Sequence, residues 1–418
     1  MTTTRNLRRA AVTAVALSAT VSLAACGSLG APGASTGEGE GDGVITFWHY
    51  YGDPHGEALN SILDDYTAET GVEIESRFIP YDDFNRTLQQ AAAAGDLPDI
   101  ALINAFDTAQ MADAGIIEDL SASVEKWGEQ DAYFETGWES GQVDGATYGI
   151  PHLADVYALY YNEDILAEAG VDVPTTWDEM EAAAAAITES GAASYGLAMS
   201  GIQGAEGATG VLLRTLAAGG DLSSFGGEAG TAALESIQRM TESGALSEGF
   251  LTWNEDDAMA AFTNGEAGMA INSASAINVV RDNAPDLTWS VAPLPADTTE
   301  ATYLSAENLT IGAGSGDADA AWDLIEWMQQ PSVLEDYLPA RNKLPARDDV
   351  PGAVTDPVRA IFADQLVHAW APNGELATRS NEALTIVQQA LQSVISGASS
   401  PADAAATAQA AIDEALGN

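Results

Sequence analysis

The sequence contains one cysteine, Cys26, which excludes an intrachain disulfide. The fold must therefore be held together by its own hydrophobic core. A chain of 418 residues can bury a large core, and the usual size of domains favours two or more of them. Beyond the first apolar run near the N-terminus, no run is long enough to cross a bilayer as a helix.

Basic residues are also scarce, with 14 Lys and Arg against 63 Asp and Glu and a formal net charge of −49. Lysine occurs only twice, at Lys126 and Lys343. So acidic a surface repels nucleic acid and anionic lipid head groups, so neither is expected as a partner. The sequence also lacks a P-loop and a dinucleotide-binding glycine motif, so no nucleotide cofactor is expected and any ATP hydrolysis must belong to a partner.

The N-terminus has a basic start, at Arg5, Arg8 and Arg9, before the apolar run Ala10–Ala25. This pattern predicts a secretory signal over residues 1–25. The letters "LAAC" at its end look like a bacterial lipobox, which implies cleavage before Cys26 and acylation of that cysteine. A buried free cysteine is the alternative. Cleavage leaves 11 basic and 63 acidic residues, a net charge of −52.

Residues 26–43 combine the acylated cysteine with a segment that has almost no large apolar side chains. Such a segment cannot bury enough surface to offset the entropy of ordering. We expect a flexible tether with an end-to-end distance of roughly 20–25 Å. The predicted location is therefore extracytoplasmic, with the protein anchored by its lipid to the outer face of the cell membrane.

The next segment alternates short apolar runs with helical periodicity, which is typical of a parallel, doubly wound α/β unit. The predicted elements are a strand at Val44–Trp48, a helix through Leu59, Ile62, Leu63 and Tyr66 that ends near Gly71, a strand at Val72–Pro80, a helix at Tyr81–Gly95 and a strand at Ile100–Ile103. Later strands are predicted near Tyr148, at Tyr157–Tyr161, in "YGLAM", at Ala267–Ile271, at Leu287–Pro295, near Tyr303 and at Leu309–Ile311. Later helices are predicted at Val211–Ala218, Ala232–Glu242 and Asp256–Asn264, after Thr176 as N-cap with Glu179, after Asp317, and after Ser400 with Pro401.

The stretch "FWHYYGDPH", from Phe47 to His55, has three possible interpretations. His49, Asp53 and His55 could hold a metal ion, the aromatic residues could form a ligand platform, or the strand could simply enter a core. Strand alternation predicts Trp48 and Tyr50 on one side and His49 and Tyr51 on the other. Because a zinc site needs three or four close ligands, we favour no metal.

Two pairs of acids, Asp64–Asp65 and Asp82–Asp83, could suggest a glycoside hydrolase. That chemistry needs two carboxylates at a defined separation, one of them with a raised pKa. Both pairs fall within or at the start of predicted helices, so a solvated helix face is the simpler interpretation. We therefore expect no enzyme activity, and a surface glycosidase is the alternative from another class.

Seven segments, in order, resemble the solute-binding proteins of ATP-driven bacterial importers, of the maltose-binding type (family 1). They are "GVITFWHYYGD", "AAAAGDLPDIALIN", "ADAGIIEDL", "YGIPHLADVYALYYNEDIL", "PTTWDEM", "AFTNGEAGMAIN" and "DADAAWDLIEWM". The resemblance implies a two-lobe, periplasmic-binding-protein-like α/β fold of type II, with lobes joined by crossover strands. Residues 44–151 with 293–338 would form one lobe, and 155–290 with 340–418 the other.

The resemblance also places candidate ligand-binding residues at strand ends and loops facing the cleft. An aromatic plane covers the apolar face of a sugar, and acids, amides or arginine bind its hydroxyls. The candidates are Trp48, Tyr50, Asp53, Asn104, Asp107, Asp155, Gln203, Trp253, Asn272, Ser305, Glu307, Arg341 and Asn373. The segment "NSASAIN" departs from the family because it lacks the tryptophan often found there.

The function implied is that of a monomeric, lipid-anchored receptor for a carbohydrate, expected to be an oligosaccharide. Closure of the two lobes on the ligand would precede delivery to the transmembrane subunits of a permease with a separate ATPase. A receptor for a polyol, a phosphodiester or a peptide is the alternative among binding proteins.

Overall fold

The structure is a computed structural model that describes residues 43–247, 249–350 and 354–417, apart from the side chain of Asp82. The predicted signal segment, Cys26 and all of the tether except Gly43 lie outside the described residues. None of the helices in the described ranges is both long enough and apolar enough to cross a membrane.

The described residues form twelve strands and seventeen α-helices, together with five short 3₁₀ helices. The strands are β1 (Val44–His49), β2 (Glu73–Phe78), β3 (Ile100–Asn104), β4 (Gln142–Val143), β5 (Ala146–Thr147), β6 (Ile150–Asn162), β7 (Tyr195–Ala198), β8 (Ala267–Ser273), β9 (Trp289–Ala292), β10 (Thr302–Ile311), β11 (Leu344–Pro345) and β12 (Ala369–Trp370). The α-helices are α1 (His55–Thr70), α2 (Tyr81–Ala94), α3 (Ala105–Asp113), α4 (Ser121–Trp127), α5 (Glu135–Glu139), α6 (Glu163–Ala169), α7 (Trp177–Ser190), α8 (Thr209–Ala217), α9 (Glu228–Glu242), α10 (Glu255–Thr263), α11 (Ala276–Asn283), α12 (Ala318–Met328), α13 (Pro331–Arg341), α14 (Pro357–Gln365), α15 (Gly374–Thr378), α16 (Ser380–Ile395) and α17 (Pro401–Ala415). The 3₁₀ helices are Gln130–Ala132, Glu206–Ala208, Leu222–Ser224, Phe250–Thr252 and Leu366–His368.

The first part of the chain confirms the predicted doubly wound unit, because β1 pairs in parallel with both β2 and β3. The connecting helices end where glycine permits a left-handed residue, at Gly71 (φ 80°) and Gly95 (φ 70°). Phe47 of β1 packs in one cluster with Leu59 of α1, whereas Trp48 packs in another with Phe84 of α2. The sheet is therefore covered by one helix on each face.

The strand order of the main sheet is β2-β1-β3-β10-β6-β8-β7. Its two central strands are long and connect the two ends of the sheet. The first half of β6 pairs antiparallel with β10 as far as Val156, and its second half pairs antiparallel with β8 and β9 from Tyr157 onward. Strand β6 therefore runs from one part of the molecule into the other.

The second part of the molecule has its own core, built on β6, β7 and β8. Leu159, Leu197 and Ile271 from these strands pack with Trp177 and Ile187 of α7. Burying a side chain of this size contributes about 1.5–3 kcal/mol relative to exposure. The two cores meet at the central strands.

Most of the predicted helix starts are confirmed. The Thr176 hydroxyl accepts a hydrogen bond from the Glu179 backbone amide, and the Glu179 carboxylate accepts one from the Thr176 backbone amide. The predicted capping box is therefore present. Ser400 caps α17 with Pro401 in the first turn. Asp317 precedes α12 but its side chain does not cap the helix.

Two strand predictions were wrong. The two short strands expected near Tyr303 and Leu309–Ile311 are a single strand, β10, because its residues pair with β3 and β6 along its length. Tyr148 lies outside any strand, between β5 and β6. In both cases pairing across the sheet, which the local sequence does not show, determined the boundaries.

Candidate functional site

Aromatic rings converge where β6 and β10 cross the middle of the sheet. The ring of Tyr303 stacks on Phe106 (centroids 4.8 Å apart, 15° between planes) and on Tyr157 (6.1 Å, 21°). Trp370 lies 6.2 Å from Tyr303 on a tilted plane. These three contacts bring together the start of α3, the two central strands and β12. We call these four residues the Tyr303 stack.

The hydroxyl group of Tyr303 has no hydrogen-bond partner in the described part of the chain, although the residue is only 6% exposed. Burial raises its pKa well above the usual value, and the nearby Tyr81, Asp107 and Glu255 raise it further. Its oxygen keeps access to solvent, unlike the hydroxyl of Tyr50, which is fully buried without a partner in the described residues. The group is therefore positioned to bond to a ligand held at the stack.

Asp107 is buried on one side of the Tyr303 stack, in the first turn of α3. Its Oδ1 accepts a hydrogen bond of 2.9 Å from the amide of Asn381. Burial raises the pKa of Asp107, while hydrogen bonds from Asn85 and Asn381 act in the opposite direction. Asn104 caps the same helix through the Phe106 amide and places its own amide 3.5 Å from the Tyr81 hydroxyl.

Glu255 lies on the other side of the stack, at the start of α10. It accepts a hydrogen bond of 2.8 Å from the Tyr157 hydroxyl, and its backbone amide donates to Oε1 of Glu206. Burial, followed by repulsion from Glu206, raises the pKa of Glu255 to about 7, against the lowering effect of the Tyr157 hydroxyl. Asn272 packs beside them and donates to the Glu255 carbonyl.

Asp155 is fully buried at the middle of β6, and both of its oxygens have protein partners. Oδ1 accepts from the amides of Val156 and Ala274, and Oδ2 accepts from the Ser275 amide and from Nζ of Lys343. Burial lowers the pKa of Lys343, but Asp155 and Glu307 outweigh it and raise that pKa overall. Asp155 therefore joins three segments, and a ligand would have to displace one of these partners.

Arg341 is also buried, at the end of α13, rather than open to a ligand. Its guanidinium group lies 3.5 Å from the ring centroid of Tyr51 and 3.9 Å from Oε1 of Glu307. The Tyr51 hydroxyl donates to Oε2 of Glu307 at 2.8 Å. Glu307 is thus held by Tyr51, whereas Nε and Nη1 of Arg341 are buried without a hydrogen-bond partner in the described residues.

Three comparisons with known proteins show the family and the fold of this chain. Residues 61–360 match the family model of the bacterial extracellular solute-binding proteins. The chain belongs to that family. The predicted two-lobe α/β fold is confirmed as well, because this solute-binding protein superposes with a TM-score of 0.79 on an ABC transporter solute-binding protein of Thermotoga lettingae bound with alpha-D-tagatose. That structure is 24% identical, and the match covers 89% of this chain and 99% of the other.

Other relatives cover most of the solute-binding protein too. The GacH receptor of Streptomyces glaucescens, solved unliganded and with acarbose, has a TM-score of 0.79 at 24% identity and covers 90% of this chain and 98% of its own. A putative binding protein of Brucella abortus is 28% identical, over 85% of this chain and 90% of its own length. The maltotriose-binding protein of Pyrococcus abyssi is 23% identical, over 79% and 73%.

Alternation in the first strand of the solute-binding protein is confirmed. Trp48 and Tyr50 pack on one face, with Phe84, and Tyr51 packs on the other beside His49. The structure does not bring Trp48 to the Tyr303 stack, because its ring is buried in the α2 cluster under the guanidinium group of Arg77, 4.5 Å away. Tyr50 reaches Tyr81 through an edge contact of 5.1 Å.

Trp253 is likewise turned towards its own lobe. Its ring makes an edge contact of 6.0 Å with Tyr195, which begins β7, and its Nε1 lies near Gly249. Its backbone carbonyl accepts hydrogen bonds from Ser200, Gly201 and Ile202. The local sequence, a tryptophan in a loop before a helix, does not show this orientation.

The three residues considered for a metal site have other environments. Nδ1 of His49 accepts the Tyr51 amide at 3.1 Å, and burial lowers the pKa of His49 to about 4. His55 begins α1, and Asp53 is exposed in the preceding loop. Within the residues searched, no three His, Cys, Asp or Glu side chains lie close enough together to hold a metal ion.

The side chains of three further candidates form no hydrogen bond or ion pair within the described residues. Gln203 and Asn373 are exposed in loops, and Ser305 lies opposite Asp155 in the strand pairing. Asn373 and Phe106 line the same small cavity of about 180 Å³. As ligand-binding residues, these three and the other candidates stay predictions.

Sequence reasoning missed several residues of the Tyr303 stack and its surroundings. Phe106, Tyr157, Tyr303, Glu255 and Asn381 were not among the candidates. Tyr157 and Tyr303 were recognised only as strand residues, and the position of Tyr303 beside a predicted crossover was the one available signal. The acid pair Asp64–Asp65 lies on the exposed face of α1, as the solvated-face interpretation expects.

Proposed function

We propose that this protein is the substrate-binding lipoprotein of an ABC importer and captures a carbohydrate, an oligosaccharide, in the cleft between its lobes. Relatives support the ligand class: one solved structure holds a sugar, another holds acarbose, and one relative is a maltotriose-binding protein. The ligand would contact both lobes, so that the closed form gains contacts that the open form lacks. The transmembrane subunits of a permease would then receive it.

The observation that carries this proposal is the Tyr303 stack with its unpartnered hydroxyl. Ring faces cover the apolar face of a pyranose, and amide and carboxylate groups bind its hydroxyls. Asp107 with Asn381 on one side and Glu255 on the other provide those groups. A polyhydroxylated ring can use both the aromatic faces and the polar groups at once.

The lobe boundaries proposed are 44–151 with 293–338 and 155–290 with 340–418. The long strands β6 and β10 support them, because each changes its pairing partners at the crossing. The hydrogen bond between Asp107 and Asn381 joins the first proposed lobe to the second. Such a contact is one that closure would make and opening would break.

The proposal is tested by isothermal titration of the full-length protein against a panel of mono- and oligosaccharides, polyols and peptides. We expect heat from at least one sugar, and loss of that heat in the Tyr303→Ala variant. Each sugar is also assayed for release of reducing ends. Silence across the sugars would contradict the proposal, and turnover of a glycoside would favour the glycosidase alternative.

We further propose that Cys26 carries the lipid anchor and that the receptor acts as a monomer. Labelling cells with a radioactive fatty acid tests the anchor: the wild-type protein should be labelled and the Cys26→Ser variant should not, and should appear in the medium. Deleting the gene should abolish uptake of the sugar that the protein binds. Uptake unchanged by the deletion would remove the importer role.

A further inference from the structure

Carboxylates around the Tyr303 stack outnumber the cations that could neutralise them. Asp107 and Glu255 lie near Tyr303 and Glu206 lies beside Glu255, and within the described residues none of the three forms an ion pair with Lys or Arg. The two nearby cations have carboxylate partners of their own, Arg341 with Glu307 and Lys343 with Asp155. The site itself therefore carries an excess of negative charge.

The hydroxyl group of Tyr303 is an independent sign that a polar ligand belongs at this point. The ring of Tyr303 stacks on Phe106 and Tyr157 in a residue that is 94% buried, whereas its hydroxyl oxygen keeps access to solvent and lacks a partner in the described ranges. A ligand seated there lies between Asp107 on one side and Glu255 on the other.

The titratable groups that act on Glu255 come from several elements. Asp155 and Tyr157 come from β6, Tyr303 from β10, Glu206 from the 3₁₀ helix at Glu206–Ala208, and Lys343 from the residue before β11. Its own helix adds the exposed Asp256 and Asp257. One cation therefore faces several acids, which agrees with the raised pKa of Glu255.

We infer that the ligand carries a protonated amine, as an amino sugar or another polyhydroxylated amine does, and that Glu206 and Glu255 bind its ammonium group. This rests on the proposed function and names the class of solute within it. Closing the site on a neutral ring would bury these carboxylates further without a counter-ion, which is unfavourable. An ammonium group offsets that cost and makes charge-assisted hydrogen bonds.

The test uses matched sugars that differ in one charge. Glucosamine and galactosamine, as mono-, di- and trisaccharides, are titrated into the full-length protein beside their N-acetylated and 2-hydroxy counterparts. At low salt and a pH of about 6, where a sugar amine is protonated, we expect one amine to bind about 10-fold or more tighter than its neutral counterparts. The difference should shrink as salt is added.

Two variants assign the preference to the named carboxylates. Glu206→Gln and Glu255→Gln should each reduce the preference for the amine about 3- to 10-fold, because they weaken binding of the amine more than binding of the neutral sugar. Glu335→Gln, on the exposed face of α13, removes the same charge elsewhere and should change neither affinity. Thermal melting shows whether each variant is folded.

Proton release supplies a readout that a purely structural role would not alter. If an ammonium group binds to Glu255, the carboxyl group must lose the proton that it holds below a pH of about 7. Titrations in buffers of different ionisation enthalpy should therefore show proton release on binding near a pH of 6, and none in Glu255→Gln. Binding of the amine without proton release would overturn the role of Glu255.

The outcomes separate this inference from the function on which it rests. If neutral sugars bind as tightly as their amines, the inference is wrong and the carbohydrate receptor stands. If no sugar of either kind binds, both are wrong. A preference for the amine that survives in both variants would overturn the assignment to Glu206 and Glu255.

Discussion

At the scale of single residues, the candidate site depends on which polar side chains lack a hydrogen-bond partner within the described residues. Asp155 has four hydrogen-bond partners and Glu307 is held by Tyr51, whereas the hydroxyl of Tyr303 has no partner in the described ranges. Asp155 and Glu307, which the family resemblance suggests as ligand-binding residues, thus make hydrogen bonds within the protein instead. The free hydroxyl group of Tyr303 lies four residues before Glu307 on the same strand, β10.

Tyr303→Phe removes only the hydroxyl group and keeps the ring stack. We expect the dissociation constant for the natural ligand to rise about 5- to 10-fold, because one hydrogen bond contributes roughly 1 kcal/mol. Titration calorimetry measures the change. Tyr66→Phe is the matched control, because it also removes one tyrosine hydroxyl and its ring packs on Trp327, and an equal loss in that variant would contradict this assignment.

His152 makes stability depend on pH. Its Nδ1 lies 2.8 Å from the Gln329 amide, and burial, followed by repulsion from Arg341, lowers its pKa to about 3. The unfolded chain takes up a proton below a pH of about 6.5 that the folded protein refuses, so stability falls as the pH drops from that value towards 3.

His152→Gln should reduce this effect, because glutamine has no charge to gain. Between pH 7 and 5 the wild type should lose about 2 kcal/mol more stability than the variant. Urea unfolding at the two pH values gives the difference. Equal losses in the two proteins would show that His152 is not the group responsible.

At the scale of elements, the centre of the molecule is a junction of three segments. Asp155 of β6 binds the turn after β8 through two backbone amides and binds the segment before β11 through Lys343. These segments include the crossings between the two proposed lobes. The junction therefore links the geometry of the hinge to one buried carboxylate.

Asp155→Ala should destabilise the fold strongly, by about 3–5 kcal/mol, because it leaves a buried ammonium group and three backbone amides without their acceptor. Lys343→Met should cost clearly less, since Asp155 keeps its three backbone amides. Chemical denaturation of the two variants checks the order. The reverse order would mean that the ion pair, not the amide bonds, holds the junction.

At the scale of the whole molecule, the dominant feature is negative charge, with a formal net charge of −49. Like charges at this density repel each other and destabilise the compact state. The few ion pairs at the surface, such as Arg86 with Asp83, add little stability because they are exposed to solvent.

Added salt should therefore stabilise the protein. Between about 20 and 500 mM sodium chloride the melting temperature should rise, because screening shortens the range of the repulsion to a few ångströms. Differential scanning calorimetry measures it, with sucrose as a control for general solute effects. A melting temperature that falls over this range would indicate that attractive ion pairs dominate.

Much of the fold could be predicted from the sequence because its signals are local. Gly71 and Gly95 end their helices, Thr176 with Glu179 starts another, and the alternation of Trp48, His49, Tyr50 and Tyr51 separates the two faces of β1. Each depends on a residue and its neighbours within one or two turns. The order of seven weak motifs was likewise enough to indicate the family.

The candidate site could be predicted only in part, because its contacts join residues far apart in the chain. Asp107 meets Asn381 across 274 residues, and the Tyr157 hydroxyl meets Glu255 across 98. By itself the sequence determined the order of strands and helices, the acidic surface and the family, because periodicity, composition and motif order are properties of the chain. Only the tertiary structure decided which aromatic rings form the Tyr303 stack and that Trp48 and Asp155 are buried, because side-chain direction is set by the packing of distant segments.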